Sequence, residues 1–364
     1  MIKVVILSNS LSGGGAEKVM LNIANNLDRK KFDLSMIFMD KKGDYGFLLP
    51  NDINIIFLKK EKIEKRILSL IKYLNEIKPD VILATMHQLN LITLCIRPFL
   101  ISRPKIIVRF TNNPHTLIDQ NKTKNLIERF IFKTADKIIA QCDEMKSDII
   151  NAFKIKENKV TRIYNPIDKN YILEKSNEFN PYFQTKYNIL AVGRLVGQKR
   201  FDILIDAIYN LLPDYPNIHL TILGQGVLED DLKAQIDKLN INKSVTLSGF
   251  KKNPYPFYKY ADLYVLSSKY EGFPNSLLEA LALGTNIVST KCKSGPSEIL
   301  NNGELGILVD VNDISSLESG IRKAIENKID YNSDVISEKY DLNNIIPQYE
   351  NLIIKITNSN RVQG

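Results

Sequence analysis

Residues 188–208 read "NILAVGRLVGQKRFDILIDAI", and this stretch decides the fold. A near-continuous apolar run ends at Gly193, a loop carrying Arg194, Lys199 and Arg200 follows, and apolar residues then recur in a helical pattern. A strand that is apolar at successive positions must be covered on both faces, which a parallel sheet flanked by helices provides. Strand, basic loop and helix form one repeat of a doubly wound α/β sheet.

The same alternation extends in both directions. "IKVVILS", "FDLSMIFM", "NINIIFL", "VILAT", "KIIVRF", "KIIAQ" and "VTRIYN" are strand patterns up to residue 165; "NILAVGR", "HLTILG", "VTLSG", "LYVLSS", "NIVST" and "GILVD" are those from 188 onward. Helical patterns fill several gaps, as at Ile63, Ile67, Leu70, Ile71, Leu74 and Ile77 ahead of Lys78-Pro79. Between the two sets, "NPIDKNYILEKSNEFNPYFQTKY" (165–187) is polar and poor in periodic apolar residues, as a linker is. A chain of 364 residues also exceeds one hydrophobic core. The expected organisation is a Rossmann-like domain over 1–165, a linker over 166–187, a second Rossmann-like domain over 188–340, and a C-terminal segment over 341–364. That last segment is expected to form a helix broken near Pro347 and packed back toward the first domain, with a frayed tail after Thr357.

Composition narrows the classes of function. A net charge of +8 and a pI near 9.0 favour an anionic partner, whether nucleic acid, an acidic membrane or a phosphorylated small molecule. No nucleic-acid module is recognisable, so nucleic acid is not expected. Cys95, Cys142 and Cys292 are far apart with no metal-ligand spacing, and are expected to be buried thiols of a protein from a reducing compartment. "IKVVILS" is too short for a signal-peptide core. "LITLCIRPFLI" (91–101) carries an arginine and falls short of the roughly 20 residues a bilayer requires, so a cytoplasmic protein is expected. Two basic segments, 59–78 around an apolar stripe and 121–137 with Phe130 and Phe132, suit an anionic membrane surface. Core-facing helices with solvated lysines are the plainer reading of both.

The chemistry concentrates in "LYVLSSKYEGFPNSLLEALALG" (263–284). A strand running to about Ser268 gives way to a loop; Pro274 suits a first helical turn, and Gly284 a position just past the helix end. Glu271 then lies at a strand's carboxyl end and Glu279 about one and a half turns into the helix. The backbone N–H groups of Asn275, Ser276 and Leu277 offer an anion site, and carboxylates accept vicinal hydroxyls. Arg194 and Lys199 add positive charge at another strand end, enough to neutralise a diphosphate without a metal. Taken singly, a helix glutamate and a solvated basic loop are ordinary. Their common strand-end placement makes the set specific.

In the N-terminal half, "SNSLSGGGAEKVMLNIANNL" (8–27) runs through Gly13, Gly14 and Gly15 into an amphipathic helix, exposing backbone N–H groups. It is not GxGxxG, and no acidic residue is well placed after the second strand for a dinucleotide ribose, so a nicotinamide cofactor is not expected. His87 and His115 follow the fourth and fifth strands.

Gly193-Arg194, Lys199 and the Glu271/Glu279 pair resemble the pattern of retaining glycosyltransferase family 4, and "NPID" (165–168) and "GPSEIL" (295–300) extend the resemblance over nearly the whole chain. It implies the GT-B fold: two Rossmann-like doubly wound domains facing a central cleft. It further implies a hexosyltransferase of bacterial surface-polysaccharide or capsule type. The donor would be a nucleotide sugar, a UDP-hexose or UDP-N-acetylhexosamine, with no cofactor and no metal. The acceptor would be a glycan or lipid-linked oligosaccharide at the inner membrane face. By that resemblance Arg194 and Lys199 hold the donor diphosphate, Glu271 the transferred sugar, Glu279 the ribose and the Phe250 region the base, while the Gly14–Gly15 loop closes over the donor. Family members often carry a histidine directly after the fifth strand; here Arg109-Phe110-Thr111-Asn112 stands there, which leaves His87 and Arg109 as acceptor-side candidates. Two other readings stand beside this one: a non-catalytic partner of another transferase, and a sugar-nucleotide epimerase or phosphorylase of the same fold. The latter needs an acidic catalytic set in the first domain that is not evident.

Overall fold

The computed structural model describes the chain except residues 13, 42, 44, 60, 115–121, 183–185, 328, 330–337 and 359–364. His115 and Gly13 therefore lie outside the described residues. The chain divides into two compact units, Met1–Pro166 with Leu342–Gly364, and Ile167–Asp341.

In the first unit, β1 (Ile2–Ser8), β2 (Phe32–Phe38), β3 (Asn54–Phe57), β4 (Val81–Thr85), β5 (Lys105–Arg109), β6 (Lys137–Ala140) and β7 (Val160–Arg162) form a parallel sheet in the order β3-β2-β1-β4-β5-β6-β7. The strands are buried along their length, as at Val4–Leu7 and Val81–Ala84, because helices cover both faces. Right-handed crossovers set the helices Ile63–Ile77, His87–Ile96 and Lys122–Lys133 side by side on one face.

The second unit repeats the plan with β8 (Tyr187–Val192), β9 (Ile218–Leu223), β10 (Val245–Leu247), β11 (Leu263–Leu266), β12 (Asn286–Thr290) and β13 (Ile307–Val309), ordered β10-β9-β8-β11-β12-β13. Its core packs Leu204 and Ile208 of the helix Phe201–Leu211 against Ile189, Ala191, Leu220 and Val265. The order of strands reverses between β1 and β4 in one sheet and between β8 and β11 in the other. At such a reversal the flanking loops diverge and leave a crevice at the strands' carboxyl ends.

Two segments differ from the sequence expectation. The stretch read as a linker includes the helix Lys169–Lys175, capped by Asp168, whose carboxylate accepts from the Tyr171 N–H at 2.9 Å. Ile172 and Ser176 are buried there, and the segment belongs to the second unit. Seven residues around a single apolar anchor give too little periodicity to read. The C-terminal helix Leu342–Asn358 runs unbroken through Pro347. Proline removes the bond to the carbonyl four residues back and crowds that carbonyl, here in the helix's first turn, while the buried face of Ile345, Ile346, Tyr349, Leu352, Ile353 and Ile356 packs the helix on both sides of it. Glu350 ties this helix to the first unit, accepting from the Asp28 N–H at 3.0 Å and pairing with Lys31 at 2.8 Å.

Candidate functional site

Sheet order brings together what sequence keeps 72 residues apart. β8 and β11 are neighbours, so the loop carrying Arg194 to Lys199 lies beside the loop carrying Glu271. The Gln198 side chain donates to the Tyr270 carbonyl at 2.8 Å, and the Lys269 N–H to the Gln198 carbonyl at 2.8 Å. The Ser267 hydroxyl donates to the Lys199 carbonyl at 2.7 Å. Thus braced, Lys199 Nζ meets Glu271 Oε1 at 2.6 Å, with both side chains largely enclosed.

Glu271 Oε1 also accepts from the Ser268 hydroxyl at 2.5 Å, and Ser268 is itself held through its carbonyl by the Thr290 hydroxyl at 2.7 Å. Two donors on one oxygen fix the carboxylate's rotation. Oε2 is left without a hydrogen-bond partner among the described residues, an acceptor suited to hydroxyl groups. Lys199 retains two N–H donors beyond the one spent on Glu271. Arg194 is exposed, and its guanidinium makes no hydrogen bond or ion pair among the described residues. The sequence reading missed Ser268 and Thr290; the only trace of them was a pair of small polar residues, Ser267-Ser268, ending an apolar strand.

The helix Asn275–Ala282 follows Glu271, with Pro274 as its N-cap and Gly284, at φ +71°, just past its end. Of the three N–H groups expected to meet an anion, that of Leu277 donates instead to the Pro274 carbonyl at 3.1 Å, and Leu277 is fully buried. The helix's own first hydrogen bond consumes it. Asn275 and Ser276 remain at the helix start, where the Ser276 hydroxyl accepts from the Tyr264 phenol at 2.8 Å. Glu279 is buried on the inner side of the helix. Burial, reinforced by the Glu279 charge, pushes the neighbouring Tyr258 phenol well above its usual value. Burial and then Glu271 likewise push the Cys292 thiol up to about 12.

Loops from three further strands close this end of the sheet. The Gly224 N–H donates to the Gly249 carbonyl at 3.0 Å and the Leu195 N–H to the Gln225 carbonyl at 2.9 Å, which places half-buried Phe250 on the loop row that begins at Arg194. Gly224 has φ +143°, and a Cβ there would overlap the Gly193 carbonyl, so glycine is required. On the far side Gly295, at φ +109°, lets the "GPSEIL" loop press on Phe273 and Pro274.

The first unit's candidates sit at its own reversal. Gly14 is the N-cap of the helix Gly15–Asn26, but it lies against the carboxylate of Glu17, a buried first-turn residue that also accepts from the Ser12 hydroxyl at 3.4 Å. The loop is therefore not the bare N–H cradle expected: an internal carboxylate already faces this helix start. His87 opens the helix His87–Ile96 directly after β4, pairs through Nε2 with Glu128 at 3.1 Å and leans on the Phe132 ring. Arg109, expected on the acceptor side, is fully buried instead. Its guanidinium bonds to Asn165 and, at 3.4 Å, to the Thr85 hydroxyl, with the Tyr349 phenol beside it. The side chain of β5's last residue points into the interior because these polar groups line it there. Among the described residues no cluster of three His, Cys, Asp or Glu side chains is arranged to hold a metal ion, and no helix is long and apolar enough to cross a membrane.

Comparison with known proteins agrees with this layout. The model of the family described as glycosyl transferases group 1 matches residues 174–341, and that described as glycosyltransferase family 4 matches residues 13–171. The N-acetylgalactosamine-N,N'-diacetylbacillosaminyl-diphospho-undecaprenol 4-alpha-N-acetylgalactosaminyltransferase of Campylobacter jejuni is 31% identical over 341 residues, spanning 90% of this chain and 91% of that protein. An uncharacterised glycosyltransferase of Methanocaldococcus jannaschii is 34% identical over 252 residues, 66% of this chain and 62% of its own length. Among solved structures, Anabaena Alr3699/HepE in complex with UDP and glucose superposes with a TM-score of 0.84 at 20% identity, over 97% of this chain and 99% of that one, a likeness of fold.

Proposed function

The chain belongs to the glycosyltransferases of family 4 and group 1, with the two-domain GT-B fold, and we propose that it transfers a hexosyl or N-acetylhexosaminyl unit from a UDP-sugar with retention of configuration and without a metal ion. The observation that carries this reading is the Lys199–Glu271–Ser268 cluster at the β8/β11 reversal, with Arg194, exposed and without a partner among the described residues, in the same loop as Lys199. Arg194 and Lys199 neutralise the departing diphosphate. Glu271 Oε2 holds the sugar's hydroxyls, and Glu279 grips the ribose. The bond from the anomeric carbon to the phosphate oxygen breaks as the bond to the acceptor oxygen forms on the same face, and the leaving phosphate takes the acceptor's proton. UDP in the Anabaena complex supports the donor, and the diphospho-undecaprenol in the Campylobacter relative's name supports a lipid-linked acceptor. Such an acceptor places the enzyme at the inner face of a membrane, held there through the basic segments 59–78 and 121–137.

A panel of nucleotide sugars tests this. Turnover of a UDP-sugar that survives EDTA and yields the donor's anomer is expected. Inverted product, a demand for added metal, or no turnover of any UDP-sugar would reject the corresponding part.

A further inference from the structure

Beside Glu279 lies a buried hydroxyl that the site, as built so far, does not use. Tyr258, in the helix Tyr255–Tyr260, is fully buried, and its phenol oxygen has no hydrogen-bond partner among the described residues. An unsatisfied buried hydroxyl costs stability, and phenylalanine would fill the same space without that cost. Packing alone therefore gives no reason for tyrosine here. Contacts on two sides place it. The Tyr258 ring packs on the Tyr264 ring with centroids 5.5 Å apart, and the Tyr264 phenol donates to the Ser276 hydroxyl at 2.8 Å, about one turn ahead of Glu279. The Tyr258 carbonyl accepts from the Thr285 hydroxyl at 2.8 Å, and the Thr285 N–H donates to the Ala280 carbonyl at 3.1 Å. The tyrosine is thus tied to the helix Asn275–Ala282 ahead of Glu279 and again just after it.

Of the charges around the phenol, that of Glu279 acts on it most strongly, and with burial it keeps the phenol protonated, hence a donor. Glu279 is only 6% exposed, so protein groups, not solvent, set the rotation of its carboxylate. That rotation decides what the carboxylate recognises. Held in one plane, its two oxygens accept from two vicinal hydroxyls together; turned out of that plane, they serve a single hydroxyl equally well. We propose that Tyr258 is a positioning residue: its hydroxyl donates to one oxygen of Glu279 as the donor nucleotide's ribose engages that carboxylate, and so makes the site selective for ribose over 2′-deoxyribose. The inference rests on the reading of Glu279 as the ribose residue and adds what fixes its geometry. An O–H···O⁻ bond is short and directional, and active-site hydrogen bonds of this kind commonly close only as substrate binds.

Calorimetric binding of UDP and of 2′-deoxy-UDP to the full chain tests it. The parent is expected to prefer UDP about tenfold or more. Tyr258→Phe should bind UDP about tenfold more weakly and 2′-deoxy-UDP within about twofold of the parent, with Tm unchanged or raised because the lost hydroxyl was unsatisfied. Glu279→Gln should lose the same preference, and adding Tyr258→Phe to it should cost nothing further, since two groups acting as one unit are not additive. Full preference for UDP in Tyr258→Phe overturns the inference. So does a fall in Tm with equal weakening of both nucleotides, the mark of a packing role. No preference in the parent removes the ribose role of Glu279 and this inference with it. Preference lost in Tyr258→Phe, in a chain that turns over no UDP-sugar, upholds the inference and removes only the activity proposed above.

Discussion

Arg109 ends β5 of the first unit with no exposed surface, against Asn165, Thr85 and Tyr349, whereas Lys199, in the loop after β8 of the second unit, keeps partial exposure and holds a carboxylate. Both are cations at the carboxyl end of a parallel strand. Arg109 has only neutral partners, and burial lowers its pKa from the usual arginine value. Its planar fork ties β5 to residue 165 and to the C-terminal helix, so it positions backbone. Lys199 faces an acid whose second oxygen is open and shares its loop with Arg194, whose guanidinium has no partner among the described residues. A cation with no exposed surface is out of a ligand's reach, even though Arg109 Nε itself lacks a hydrogen-bond partner among the described residues; a partly exposed cation sharing one carboxylate oxygen retains two donors, and its partner retains an acceptor.

Changing each member of the comparison should separate the two roles. Arg109→Met is expected to cost about 1–3 kcal/mol of stability, because the neutral groups of Asn165 and Thr85 lose a buried partner, while turnover per folded molecule stays near the parent's. Chemical denaturation alongside active-site titration checks this, and lost turnover at full stability would return Arg109 to the acceptor side. Glu271→Gln is expected to lower kcat by about 10²–10³. Donor binding measured by calorimetry should survive; an unchanged kcat would favour the non-catalytic reading instead. Arg194→Ala should reduce kcat/KM about tenfold to a hundredfold, the worth of one or two charge-assisted hydrogen bonds, with Tm unmoved because the side chain is exposed. The smallest effect concerns thiols. At pH 8 exposed Cys95, although partial burial raises its thiol too, should react with an alkylating agent well before Cys292, which burial and Glu271 push up to about 12 and keep protonated. The unfolded chain ionises Cys292 near 9.0 and the folded chain only near 12, so its contribution to stability is full below 9 and is lost as pH rises through that window.

Cys95 also shows where sequence reading falls short. All three cysteines were expected inside; Cys142 and Cys292 are, but Cys95 lines an open groove. A helix apolar on most of its circumference does not announce which positions its neighbours leave uncovered.

Chain order alone determined that thirteen apolar strands alternate with helices in two parallel sheets, that Gly284 ends the helix after Glu271, that Arg194, Lys199 and Glu271 lie in loops following strands, and that Glu279 lies within the helix after Glu271. Those features follow from periodicity and backbone sterics, which act over a few residues. Tertiary structure alone decided that Lys199 and Ser268 share one oxygen of Glu271, that Leu277 spends its N–H within its own helix, and that Arg109 turns inward. Each depends on which strands become neighbours and on which polar groups meet once water is excluded, and local pattern carries no record of either.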